Sequence, residues 1–310
     1  MERIPVTVLA PPAPPANRSP EPVAERPAPA PGIALVGAAL CVLAALLLGF
    51  AANLTIVGHL QHARDQRTAY DDLRAELAMG TAPVGQTTFD GKPLEAGAPM
   101  ALLRIPALGL KQVVFEGTTS GVLRSGPGHR RDTPFPGQAG TSQILGRAWG
   151  YGGPFNDVAR LPVGAVIKVT TGQSTAEYRV TGIRRDGDPL PAVLGTNKGR
   201  LTLVTATGWA YTPSGVVRVD ADLVSETQPS PPRPRRAGWI DAAEKPLGTE
   251  SGAWMSVYLW SQALLAAALL TVWTHRRWGR WQTWITAVPV LTALGVAASG
   301  AATCLLPNLL

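Results

Sequence analysis

The sequence predicts a small all-β domain, barrel or sandwich, held at a membrane by three α-helical spans. Residues 33–57, 254–273 and 283–306 contain no Asp, Glu, Lys or Arg, and each reaches the roughly 20 residues a helix needs to cross a bilayer. Between 98 and 224 short β-branched runs alternate with turn residues, the texture of several short strands. The 33 glycines and 29 prolines make a fifth of the 310 residues, too many breakers for one compact unit. With 16% charged residues and a mean hydropathy of +0.10, the chain is not a solvating disordered protein. The two cysteines, Cys41 and Cys304, sit in apolar runs, which argues against a disulfide framework or a metal site, and no cofactor is expected.

Each element has its own reason. Residues 1–32 are a Pro/Ala-rich tail with little to bury, expected to stay extended and disordered on the cytoplasmic side. The run 33–57 is longer, and lies farther from the N-terminus, than the apolar region of a cleaved signal peptide, so it reads as transmembrane helix 1. Residues 58–97 begin with the mixed-charge helix formers HLQHARDQRTAYDDLRAELAM (59–79) and read as a helical stalk and linker. In 98–224 the runs LLRI, QVVFE, SQILG, AVIKVTT, AEYRVTGI, LTLVTA and GVVRVDADL are strand candidates. Residues 225–253 return to Pro, Arg and Gly, a linker. Residues 254–273 and 283–306 form helices 2 and 3, joined by a basic loop over 274–282. Its three arginines place that loop in the cytoplasm. Counting spans outward puts the N-terminus inside, and the β domain and C-terminus outside, a multi-pass plasma-membrane protein.

Small or polar residues recur every fourth position at Ala45, Gly49 and Asn53, and again at Gly295, Ser299 and Thr303. That spacing allows close helix approach, within the chain or to a membrane-protein partner, and Asn53 adds a hydrogen-bonding group.

The ordered motifs of 98–224 resemble the sortases, membrane-anchored cysteine transpeptidases of the Gram-positive cell surface, and within them the actinobacterial class E type. The motifs are LRIPALGL (103–110), VVFEGT (113–118), GPGH (126–129), PGQAG (136–140), YGGPFNDVARL (151–161) and LTLVT (201–205). The resemblance implies an extracytoplasmic eight-stranded β-barrel with a His, a Cys and an Arg in its active site. A thiolate would attack a threonyl carbonyl of a sorting signal, an imidazole would protonate the leaving amine, and a guanidinium would hold the oxyanion.

All three positions are changed here. Arg147 stands for the His in ILGRAWGYG, Ala206 for the Cys that follows LTLVT, and Val216 for the Arg in GVVRVDADL. An alanine methyl cannot form an acyl-enzyme. The expected protein is therefore a pseudo-sortase, not an enzyme of the family's type, with a binding or scaffolding role at the cell surface. The alternative is a transpeptidase or hydrolase acting on sorting signals through a non-standard or partner-complemented site. Thr205 and Thr207 lack a base, because Arg147 stays protonated. His129 lies in a motif that is not the family's catalytic one, so a structural or surface role is expected.

The expected binding cleft comprises Arg147, Trp149, Thr205, Trp209 and Arg218, with Arg147 beside Arg218 as an anion site and either tryptophan able to fill it. Residues 98–224 carry 14 Lys and Arg against 8 Asp and Glu. Outside the cell, such a surface suits an anionic wall polymer or a sorting-signal peptide rather than nucleic acid.

Overall fold

The computed structural model describes Leu40 and residues 44–310, except 89, 233, 234, 236 and 237. The Pro/Ala-rich tail and the first part of the first span lie outside the described residues. One helix, α1, runs over Ala44–Met79. The span and the stalk expected as separate elements are thus continuous, with a π-helical stretch at Asn53–Val57 where they meet. Gly80, in the left-handed conformation, ends α1, and its N–H bonds back to Glu76 and Leu77.

Eight strands follow: β1 (Pro99–Ile105), β2 (Leu110–Glu116), β3 (Gly128–His129), β4 (Gly140–Leu145), β5 (Val166–Thr170), β6 (Thr175–Arg185), β7 (Gly199–Trp209) and β8 (Thr212–Leu223). They close into a barrel in the order β1-β2-β3-β4-β7-β8-β6-β5, so no strand edge is left open. Barrel is thereby chosen over sandwich. Seven strands coincide with the seven β-branched runs. The eighth, β3, is a two-residue stretch of the GPGH motif, too short to show a period. β4 pairs in parallel with β7, Leu145 opposite Val204, and β7 pairs antiparallel with β8, Ala206 opposite Val216.

The barrel interior is filled by Leu103, Ile105, Ile144, Leu201, Leu203, Val219 and their neighbours, with Phe135 and Phe155 closing it. Ala69 and Leu73 of α1 pack on Leu102, Val113 and Phe115 of the barrel wall, and Gln66 donates to the carbonyls of Val113 and Ser125. The linker 225–253 is tied down as well, through buried Glu244, which pairs with Arg131 at 3.1 Å.

A short helix, α2 (Ser120–Ser125), precedes β3. Two long helices, α3 (Ala253–Trp278) and α4 (Arg280–Thr303), end the chain as an antiparallel hairpin. The helices run on through residues 274–282, and the turn between them is Gly279 alone, at φ 99°. About 1.5 Å of rise per residue makes each roughly 35–40 Å long, enough to cross a bilayer. Leu265, Leu269, Leu270, Trp273 and Ile285 are exposed along them, the surface a lipid environment would cover.

The expected small-residue seams are not contact surfaces throughout. Among the described residues, no atom of another element lies within 4 Å of where a Cβ would sit at Gly49 or Gly295. Only the barrel-side ends, Asn53 and Thr303, are buried, and the Asn53 amide has no hydrogen-bond partner among the described residues.

Tyr178 of β6 shows how the barrel is locked. Its hydroxyl, inside the wall, accepts from the Gly137 N–H at 2.6 Å, and burial pushes the phenol well above its ordinary pKa. Tyr178→Phe leaves that N–H unsatisfied and should cost about 1–3 kcal/mol, read as a lower urea midpoint at unchanged slope.

Candidate functional site

The site lies on the outer face of β4, β7 and β8. Side chains alternate across a strand, so Leu201 and Leu203 point into the barrel while Val204 and Ala206 form a separate buried cluster with Leu123, Leu145, Ala148 and Val216. The three changed positions converge here. Ala206 and Val216 are cross-strand partners, and Arg147 follows Leu145 after one glycine. Gly146 is required at that bend, because a Cβ there would sit 2.5 Å from the Phe155 ring.

Arg147 is almost fully buried, 1% exposed. Its Nη1 donates to the main-chain oxygen of Leu310 at 2.7 Å, and its Nη2 to the Ser120 carbonyl at 3.0 Å and hydroxyl at 2.8 Å. The Tyr151 ring lies 5.1 Å from its guanidinium carbon, within cation–π range. No Asp or Glu side chain bonds it among the described residues. Burial pulls its pKa from the ordinary guanidinium range down to about 10, so at neutral pH the group is still charged and cannot serve as a base.

The loop after Arg147 reaches α1 and α4. Tyr151 has φ 43°, an uncommon conformation for a ring-bearing residue. Its ring sits where Gly58 of α1 has no Cβ, a Cβ there falling 3.0 Å from it. Its hydroxyl meets the Thr303 hydroxyl at 3.2 Å. From α2, Arg124 donates to the Gly300 carbonyl and Ser120 to that of Thr303, capping the last turn of α4 with a cation and a hydroxyl.

Beyond α4 the chain turns back over the groove. Asn308, Leu309 and Leu310 are 0%, 0% and 3% exposed, and Leu309 joins the cluster of Ala206 and Val216. Burying such a leucine is worth about 1.5–3 kcal/mol. Two open clefts, of about 360 Å³ beside Arg130 and Asp132 and about 330 Å³ beside Pro83 and Leu94, lie away from Ala206.

The expected cleft residues therefore separate. Arg147 is buried at the site, whereas Thr205, buried too, lies on the opposite face of β7 from Val204 and Ala206, its hydroxyl committed to the Gly146 carbonyl at 2.9 Å with no base beside it. Trp149 packs at the margin of the cluster. Trp209, at the β7–β8 turn, is 86% exposed and fills nothing. Arg218 shares the outer face with Val216, yet it pairs with Asp186 at 2.8 Å, so the pocket of two arginines does not form. His129 is fully buried, with Nδ1 2.9 Å from Glu116 and Nε2 3.1 Å from the Pro134 carbonyl. That is a structural setting with no path to a substrate. No group of three His, Cys, Asp or Glu is placed to hold a metal among the described residues.

Ser120, Asn308 and Leu309 belong to the site but were not legible as such. One signal was present: a Pro-Asn pair at 307–308 interrupts an apolar run already long enough to span a bilayer.

Residues 103–249 match the Sortase family, the sortase domain. The barrel is a sortase domain. Solved sortases align with it. Sortase D5 transpeptidase of Clostridium perfringens is 23% identical, with 52% of this chain and 99% of that one covered and a TM-score of 0.43. Sortase E of Streptomyces avermitilis is 32% identical, covering 43% and 91%, TM-score 0.37. Sortase E1 of Streptomyces coelicolor, solved with a tripeptide in its active site, is 27% identical, covering 43% and 93%, TM-score 0.38. No match is found among curated proteins.

Within this sortase domain, Asp186 reports where Arg218 points. The Arg218 hydrogen bond first, and the Val216 N–H second, hold its carboxyl below the ordinary value. A depressed carboxyl contributes stability that is present above its unfolded pKa and lost as pH falls through the folded one. For so exposed a pair the contribution is small. In Arg218→Ala the Asp186 carboxyl should titrate closer to the ordinary value of about 3.9, followed by carboxyl NMR. An unchanged titration would mean that Arg218 is directed elsewhere, toward the groove.

Proposed function

We propose that this chain is a pseudo-sortase of the class E type, anchored in the membrane with its barrel at the outer surface, and that it binds or scaffolds instead of transferring peptides. The observation that carries this is Ala206. It stands where the resemblance places the nucleophile, in a buried apolar cluster opposite Val216, and neither residue offers an atom that can attack or stabilise a carbonyl. The neighbouring groups do not substitute for them. Arg147 is a committed cation, the Thr205 hydroxyl is engaged, and the Cys304 thiol is buried one helical turn from the Gly300 carbonyl that it meets at 3.7 Å.

Orientation follows from the hairpin. The Gly279 turn, with Arg276, Arg277 and Arg280 around it, is at the opposite end of α3 and α4 from the barrel contacts at Glu250, Gly300 and Thr303. A cytoplasmic basic turn leaves the barrel outside. Arg147 gives little support to an anionic wall polymer as ligand at this site, because its donors are already used. A peptide, or a membrane partner reached through the exposed faces of α3 and α4, fits better.

The test is a cleavage and transpeptidation assay on the full chain in detergent micelles, with LPXTG-type and LAXTG-type peptides and an amine acceptor. Neither the native chain nor Ala206→Cys should turn over, since the thiol introduced by that substitution would still lack an acid–base partner at Arg147. Turnover by the native chain would establish a non-standard site, and turnover by the Ala206→Cys variant alone would show that the rest of the machinery is intact.

A further inference from the structure

The last seven residues behave unlike the helix they follow. CLLPNLL (304–310) comes after a helix whose apolar side chains are largely exposed, yet it contains the most deeply buried residues of the C-terminal region. After α4 the N–H groups of Cys304, Leu305 and Leu306 bond back to Ala301, Ala302 and Thr303, and the chain then leaves the helix at Pro307.

From Asn308 onward it is held by the linker 225–253 and by the barrel with its loops. The Asn308 N–H donates to the Gly248 carbonyl at 2.9 Å. Its side-chain amide reaches the carbonyls of Thr118 at 2.7 Å, Lys245 at 3.0 Å and Ala243 at 3.3 Å. The Leu309 carbonyl accepts from the Ala148 N–H at 2.9 Å, while its side chain enters the cluster of Ala206 and Val216. The Leu310 main-chain oxygen takes Nη1 of Arg147.

Main-chain hydrogen bonds along the segment, one side chain in an apolar pocket and one reading carbonyls through an amide are the ways a peptide ligand is held. The cluster it completes is also separate from the barrel core. Withdrawing the segment would uncover the groove and leave the interior filled.

We infer that the outer groove of β4, β7 and β8 is a peptide-binding site whose ligand is the chain's own segment 304–310, bound in cis as a displaceable plug. The inference rests on the reading that the groove has lost its nucleophile, since a peptide carbonyl beside a working thiolate would be a substrate. The fit leaves two buried groups unpaired, Nε of Arg147 and Oδ1 of Asn308, which is the imperfection expected of a ligand that can leave. A peptide of the same chemistry, apolar with a side-chain amide, has to compete with a tethered copy at millimolar effective concentration. Because α4 carries the plug, a shift of the membrane hairpin alters access to the groove.

The test uses the full chain in detergent micelles and a fluorescein-labelled peptide SLLPNLL, residues 304–310 with Ser in place of Cys304, extended by two lysines for solubility. Polarisation should show at least tenfold tighter binding to a chain lacking 304–310, and to Leu309→Asp in the intact chain, than to the native chain. An Asn308→Ala version of the peptide should bind less well. Equal binding to all three proteins, or none to variants that keep a cooperative unfolding transition, overturns the inference.

Should the variants not fold, hydrogen exchange on the native chain decides. The Asn308 amide of the chain should be protected and should lose that protection when excess unlabelled peptide takes its place, while the Ala148 amide, which the peptide bonds in turn, stays protected; unchanged protection of Asn308 overturns the plug. Binding is read without turnover, so a catalytically active groove would be recognised in the transfer assay independently of this result.

Discussion

A buried cation with no Asp or Glu side chain bonded to it is the constraint around which this molecule is arranged. Taking a guanidinium out of water is expensive unless acceptors replace the lost hydration. For Arg147 those acceptors are Ser120 of α2 and the Leu310 main chain, both distant in sequence, and the face of nearby Tyr151. Each of these is tied in turn to one of the long apolar helices. Ser120 caps α4, Tyr151 meets Thr303 and fits against Gly58 of α1, and Leu310 follows α4. The sortase domain is therefore not a globule on a flexible tether. Its groove, the end of the hairpin and the start of the stalk share one polar junction.

The same junction explains the burial of β7. A strand in a barrel wall ordinarily hides one face and wets the other, but the first eight residues of β7 are all buried. The inner face is covered by the barrel core; on the outer one Arg200 and Thr202 are engaged by Asp222 and Asp220, and Val204 and Ala206 are covered by Leu145, Leu123 and Leu309. An active transpeptidase would need that outer face open to its substrate. Here Ala206 and Val216 make that face apolar, a surface that prefers to be covered.

Much of the architecture was legible because it depends on local periodicity. Seven of the eight strands coincide with β-branched runs, and the hairpin spans with uncharged runs of bilayer length. β3 was not legible, since two residues cannot display an alternation, and neither was the turn at Gly279, where the local helical preference of 274–282 prevails over its charge. At the site, Arg147, Ala206 and Val216 were identified by their place in ordered motifs, and the strand register brings them together. Trp209 and Arg218 were not separable from them by sequence, because exposure at a hairpin tip and an ion pair to Asp186 are decided by strands far apart in the chain.

By itself, then, the sequence determined the chain's elements and the absence of a thiol in the β domain, because apolar length, alternation and residue identity are properties of a few neighbouring residues. What only the tertiary structure decided was where Arg147 spends its hydrogen bonds and what covers Ala206. A segment such as 304–310 reads locally as the tail of a membrane helix. It becomes part of a groove only because barrel closure, the α2 cap on α4 and the length of the hairpin bring residues 163 positions apart within a hydrogen bond of each other, and no window of sequence contains that distance.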